Sequence, residues 1–123
     1  MLRNYKDLKV WQKSYQLCLA IYDTTKYFPK EERYSLTSQI RRSVVSIPSN
    51  IAEGYGKKTI PDYVRSLYIA YGSICEVETQ ILLSKDLGYL KNEASKTVQN
   101  KINEIERMLM ALIKSLENKF SKP

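Results

Sequence analysis

Leu36-Thr37-Ser38-Gln39-Ile40-Arg41-Arg42-Ser43-Val44-Val45-Ser46-Ile47-Pro48-Ser49-Asn50-Ile51-Ala52-Glu53-Gly54 is the stretch that decides the fold class. Leu36, Ile40, Val44, Ile47 and Ile51 recur at intervals of three and four, which places them on one face of an α-helix. Arg42 lies about 200° around the helix from Ile40 and points away from the core, with Arg41 on the flank. Pro48 removes one amide and its ring crowds the carbonyl of Val44, so the helix is expected to kink there; Ile47 and Ile51 keep the stripe in phase across it. Ser46, Ser49 and Asn50 carry polar groups suited to the freed backbone. The helix runs out at Gly54-Tyr55-Gly56.

Upstream, Leu8, Trp11, Tyr15, Cys18 and Tyr22 repeat the same period, which predicts a helix beginning after Asp7 as N-cap, with this stripe in the core. It ends before Phe28-Pro29, because a residue preceding proline is pushed out of the helical region. A polar turn, Lys30-Glu31-Glu32-Arg33, follows. Downstream, Thr59-Ile60-Pro61-Asp62 combines a capping hydroxyl, a first-turn proline and an acid at the positive end of the dipole. The helix it starts carries Tyr63, Leu67, Ala70, Ile74, Val77 and Ile81, and Gly88 supplies a left-handed terminator. Asn92 reads as the cap of a fourth helix with the stripe Val98, Ile102, Ile105, Leu109, Leu112 and Leu116, fraying past Lys119. Helices at roughly 8–27, 34–53, 60–87 and 93–118, joined by short connections, predict one all-α domain over residues 1–123, an antiparallel up-down-up-down four-helix bundle.

Composition agrees. The 123 residues are 43% hydrophobic and 27% charged, ordinary for a globular chain, and four Gly with four Pro are too few for a turn-rich β-fold. The longest apolar runs, Leu17 to Tyr22 and Met108 to Ile113, fall far short of the ~20 residues of a membrane span. With no hydrophobic segment behind the N-terminal residues where a signal peptide needs one, a cytoplasmic location is expected. Cys18 and Cys75 sit inside helical patterns and read as reduced core thiols rather than a disulfide framework.

The absence of histidine removes the Ser-His-Asp triad, the Cys-His pair, most zinc sites and the Glu-x-x-His pattern of di-iron bundles. Glu76/Glu78 and Glu104/Glu106 are spaced by two, so each pair diverges around its helix. No catalytic residue, metal, cofactor or small-molecule substrate is expected. The net charge of +7 is uneven: through Ser66 there are twelve basic and six acidic residues, beyond it eight and seven. A lopsided basic surface suits a polyanion, since neutralised phosphates release counterions. Arg41, Arg42, Lys57, Lys58 and Arg65 bracket the connection after the second helix as a nucleic-acid-binding patch, with Lys6, Lys9 and Lys13 outlying. Tyr55, beside the loop lysines, is the stacking candidate among ten tyrosines. A second apolar stripe, Val64, Tyr68, Tyr71 and Cys75, reinforced by Leu17 and Ile21, predicts burial against another subunit.

The stretches Tyr5-Lys6-Asp7-Leu8-Lys9-Val10-Trp11-Gln12-Lys13, Phe28-Pro29-Lys30, Gln39 to Gly54, Ile69-Ala70-Tyr71-Gly72-Ser73 and Leu87-Gly88-Tyr89-Leu90 together resemble the four-helix-bundle proteins encoded in intervening sequences of bacterial 23S ribosomal RNA genes. The resemblance implies a ring-like homopentamer, and kinship with the accessory variability protein of diversity-generating retroelements, which partners a reverse transcriptase and binds nucleic acid. Arg41 and Arg42 match the family's paired arginines, and Ser46 to Glu53 its signature around the proline. Two functions follow as expectations: a non-enzymatic oligomer binding RNA or DNA through Lys and Arg, or a protein-interaction scaffold such as an accessory subunit of a reverse transcriptase.

Overall fold

The computed structural model describes residues 4–122. Four helices, α1 (Lys9–Thr25), α2 (Leu36–Tyr55), α3 (Ile60–Asp86) and α4 (Asn92–Ser121), form an all-α four-helix bundle, with 3₁₀ turns at Tyr5–Asp7 and Lys30–Glu32. Each helix packs on two neighbours in the cyclic order α1, α2, α3, α4, which leaves α1 diagonal to α3. Cross-contacts run in opposite senses along successive helices: Thr25 meets Arg41 while Cys18 meets Val44, and Gln80 meets Ser43 while Ser73 meets Ser46. The core is aliphatic, with Leu17, Ile40, Ile47, Leu67, Ile74, Ile102 and Leu109 among its fully buried side chains.

Helix boundaries follow local chemistry. Thr59 accepts a hydrogen bond from the Asp62 amide at 3.3 Å and caps α3, with Pro61 in the first turn. After α3, Gly88 takes φ +83°, a conformation that favours glycine. Other boundary expectations are corrected. Asp7 belongs to the N-terminal 3₁₀ turn, where Asn4 is the cap, and α1 starts from Leu8 without a side-chain cap. Lys91, not Asn92, occupies the N-cap position of α4, and α4 continues past Lys119 to Ser121.

The larger correction concerns the phase of α1. Its buried face is Val10, Ser14, Leu17, Ile21 and Thr25, whereas Tyr15 and Tyr22 are exposed and Trp11 and Cys18 are half-buried. Two hydroxyls enter the core because each finds a partner in its own helix: Ser14 donates to the Val10 carbonyl and Thr25 to the Ile21 carbonyl, both at 2.7 Å. Leu17 and Ile21, expected at a subunit interface, are therefore fully buried inside the bundle.

Helix α2 continues through Pro48. Proline leaves the Val44 carbonyl without its usual partner four residues on, and the Cys18 thiol of α1 donates to that oxygen at 3.2 Å. Burial pushes the Cys18 thiol up to about 11, so it stays protonated and able to donate. The Asn50 amide donates to the Ser46 carbonyl at 2.8 Å and to its hydroxyl at 2.9 Å. Further along, Gly54 lies where a Cβ would come within 2.9 Å of the Ser66 Cβ and 3.2 Å of the Tyr63 carbonyl, so this glycine sets the close approach of α2 to α3.

Candidate nucleic-acid interface

Helix α1 ends at Thr25, two residues short of the expected 27; Phe28-Pro29 follows, and the 3₁₀ turn Lys30–Glu32 leads into α2. Phe28 is buried and packs on the Tyr89 ring, centroids 5.5 Å apart, which pins the connection to the end of the bundle. Glu32 is turned to the same side: its carboxylate accepts from the Ser35 hydroxyl at 2.6 Å and the Tyr89 hydroxyl at 2.9 Å. Those two hydrogen bonds hold its pKa below the usual carboxylate value.

The opposite side of the connection is a concavity of about 600 Å³ between the end of α1 and the first half of α2. Lys26, Lys30, Arg33, Arg41 and Arg42 line it together with Tyr22 and Tyr34, and no carboxylate is part of its wall. Arg41 is anchored there. Its Nε donates to the Thr25 hydroxyl at 2.9 Å and a terminal nitrogen to the Tyr22 carbonyl at 3.3 Å, satisfying a carbonyl at the C-terminal end of α1. The same guanidinium stacks 4.7 Å from the Tyr22 ring centroid. Lys26 is shared with Asp23 at 3.5 Å, an exposed pair of little strength. Concave geometry, uniform positive charge and two exposed tyrosines make this cleft suited to phosphate groups with adjoining planar bases.

The expected patch is thereby divided. Arg41 and Arg42 lie in the cleft, whereas Lys57, Lys58 and Arg65 sit beyond the other end of α2; at 1.5 Å per residue Arg42 and Tyr55 are roughly 20 Å apart along the axis. Lys57 pairs with Glu53 at 3.5 Å, and Lys13 pairs with Glu104 of α4 at 3.4 Å. Tyr55 is half-buried with its ring edge-on to Tyr63, centroids 6.2 Å apart, at the end of α2 remote from the arginines of the cleft. Lys26, Lys30, Arg33, Tyr22 and Tyr34 were outside the expected site. Their signal was density of charge, since residues 26–42 hold five basic side chains against Glu31 and Glu32.

On the α3–α4 side two carboxyl groups, Glu78 and Glu106, share a hydrogen bond. Partial burial and then the nearby Glu78 raise the pKa of the Glu106 carboxyl. Partial burial, then the charges of Glu106 and Glu78, push up the Cys75 thiol, which is exposed rather than in the core. Of the expected subunit-contact stripe, Val64 and Tyr71 are partly covered within the bundle, while Tyr68 is exposed with its hydroxyl 3.2 Å from a Glu117 carboxylate oxygen. Ile69, Leu82 and Leu83 are exposed on the same helix. Among the described residues no group of three or more His, Cys, Asp or Glu side chains is placed to hold a metal ion, and no helix is long and apolar enough to cross a membrane.

The family model described as 23S rRNA-intervening sequence protein matches residues 6–111. The chain is similar to the crystal structure of a protein of unknown function from the S23 ribosomal protein family of Bacteroides thetaiotaomicron: TM-score 0.80 at 27% identity, covering 85% of this chain and 98% of that one. No curated protein matches.

Proposed function

The chain belongs to the family of 23S rRNA-intervening sequence proteins, and from that premise we propose that it is a non-enzymatic bundle that binds nucleic acid, RNA or DNA, through the basic cleft between α1 and α2. The observation that carries this reading is the convergence of Lys26, Lys30, Arg33, Arg41 and Arg42 on one concavity with no carboxylate in its wall. Arg41 is preorganised by Thr25 and Tyr22, so little side-chain entropy is lost when it meets a phosphate. The exposed apolar residues on α3, Tyr68, Ile69, Leu82 and Leu83, support self-association through that helix, diagonal to α1, which leaves the cleft open. The family resemblance favours a ring of five, which native mass spectrometry tests directly.

The binding test is a fluorescence-anisotropy titration of labelled RNA and DNA oligonucleotides across salt concentrations. Affinity falls with a log-log slope of about −0.7 for each single-strand phosphate contact, so three or four contacts give a slope of about −2 to −3. An affinity that does not change between about 50 and 200 mM salt excludes the cleft as a phosphate site.

A further inference from the structure

The α1 stripe that the bundle leaves outside its core continues from the basic cleft along the same side of the α1–α2 pair. Tyr22 and Arg42 line the cleft. One turn further down both helices, Cys18, Tyr15 and Trp11 of α1 face Val45, Pro48 and Ser49 of α2 across a second concavity of about 330 Å³, mostly apolar. These residues recur every three or four positions on each helix, so the two concavities open on the same side of the α1–α2 pair, with Arg41 reaching across to Thr25 and Tyr22 at the cleft. Its aromatic wall is already ordered: Trp11 and Tyr15 stack with centroids 5.2 Å apart and planes 27° from parallel, and Tyr5 closes the far end edge-on to Trp11 at 5.3 Å. Tyr15 remains 49% exposed and Val45 42%. Burying Leu17 and Ile21 accounts for the fold, and of the aromatic row Trp11 and Cys18 pack partly on the core and Tyr22 carries Arg41 on its ring, while Tyr15 stays half-exposed.

We infer that the aromatic concavity is a base-stacking platform and that the ligand of the cleft is a single strand, its phosphates held by Lys30, Arg33 and Arg42 and its next bases laid against Tyr22 and Tyr15. The inference rests on the nucleic-acid reading of the cleft and adds the strand type. Charge complementarity at one end and an apolar stretch on the same side decide the occupant: a duplex shows its partner only phosphates and base edges, whereas a single strand also offers ring faces to stacked tyrosines. A surface running from five cations onto an apolar row of rings matches the second ligand along its whole length and the first only at the cleft.

The test uses a single-stranded oligouridine of about a dozen nucleotides and the same strand annealed to its complement, titrated into the full chain. Trp11, the only tryptophan, reports occupancy of the aromatic concavity. The single strand is expected to bind at least about tenfold more tightly than the duplex and to quench Trp11. Tyr15→Ala, at an exposed position, lowers single-strand affinity about tenfold with the salt slope unchanged, and Tyr15→Phe restores it. If duplex and single strand bind equally, Trp11 is silent and a Lys30→Glu, Arg33→Glu, Arg42→Glu variant loses both, the cleft reading stands and the stacking platform is overturned. Binding of neither form overturns both. A Tyr15→Ala variant that sediments as a smaller species with RNA affinity intact assigns the aromatic concavity to a second copy of the chain and overturns the platform as well.

Discussion

The two ends of α2 carry similar letters and do different work. Toward its N-terminal half, Arg41 and Arg42 face a connection whose own Lys30 and Arg33 turn to the same side, and Phe28-Pro29 after α1 leaves a hollow for all of them. Beyond its C-terminus, Lys57 is drawn back onto Glu53, and Tyr55 folds against Tyr63 beside the glycine that lets α2 and α3 touch. A cation contributes to recognition when its neighbours share its sign and leave it accessible. The same cation one turn from a carboxylate on a convex helix end is mostly spent on solvation and a weak pair.

The largest effect that can break this contrast is charge reversal. Lys30→Glu, Arg33→Glu and Arg42→Glu together are expected to weaken oligonucleotide binding by about a hundredfold or more and flatten the salt dependence. Reversing Lys57, Lys58 and Arg65 changes it by about threefold at most. Equal losses from the two variants, read by the same anisotropy titration, merge the ends into one patch and return the site to the loop after α2.

Next in size is Gly54→Ala. Its Cβ meets the Ser66 Cβ and the Tyr63 backbone, neither of which is the tip of a flexible side chain. Overpacking costs about 1–3 kcal/mol, which outweighs the helix-propensity gain of about 1 kcal/mol. Denaturant melts are expected to show a net loss, with nucleic-acid affinity of the folded protein unchanged.

Arg41 and Arg42 sharpen the comparison within the cleft end. Arg41→Ala removes two hydrogen bonds and a ring contact and is expected to lower stability by about 1 kcal/mol, whereas Arg42→Ala stays within about 0.5 kcal/mol. Thermal melts of the two single variants, set beside their affinities, separate a cation that also holds α1 from one available for ligand.

The smallest effect is Glu53→Gln. The pair with Lys57 is exposed on both sides, so its loss costs less than about 0.5 kcal/mol in the same melts. A loss several times larger shows that the C-terminal end of α2 depends on its charges and not only on the Gly54 contact.

Helix count and the stripes of α2, α3 and most of α4 were legible, because aliphatic residues at intervals of three and four have one way to leave water together. The α1 stripe was misread because that helix carries two apolar rows. The aromatic row has the larger letters, and Ser14 and Thr25 interrupt the other in a way that looks solvent-facing. The cleft was half legible. Arg41 and Arg42 were visible as outward cations, but the convergence of Lys26, Lys30 and Arg33 with them depends on how the Phe28-Pro29 connection folds back, which helical periodicity does not encode.

The sequence by itself determined an all-α bundle of four helices with a basic first half, since period, breakers and charge are local properties of the chain. Only the tertiary structure decided which row of α1 faces inward, that a thiol of α1 takes up the carbonyl freed by Pro48, and which arginines share a hollow with which lysines. The reason is physical. A helix with two apolar faces is indifferent to its rotation until its neighbours fix which face fits, and charges gain or lose strength according to what lies across a gap from them rather than beside them in the chain.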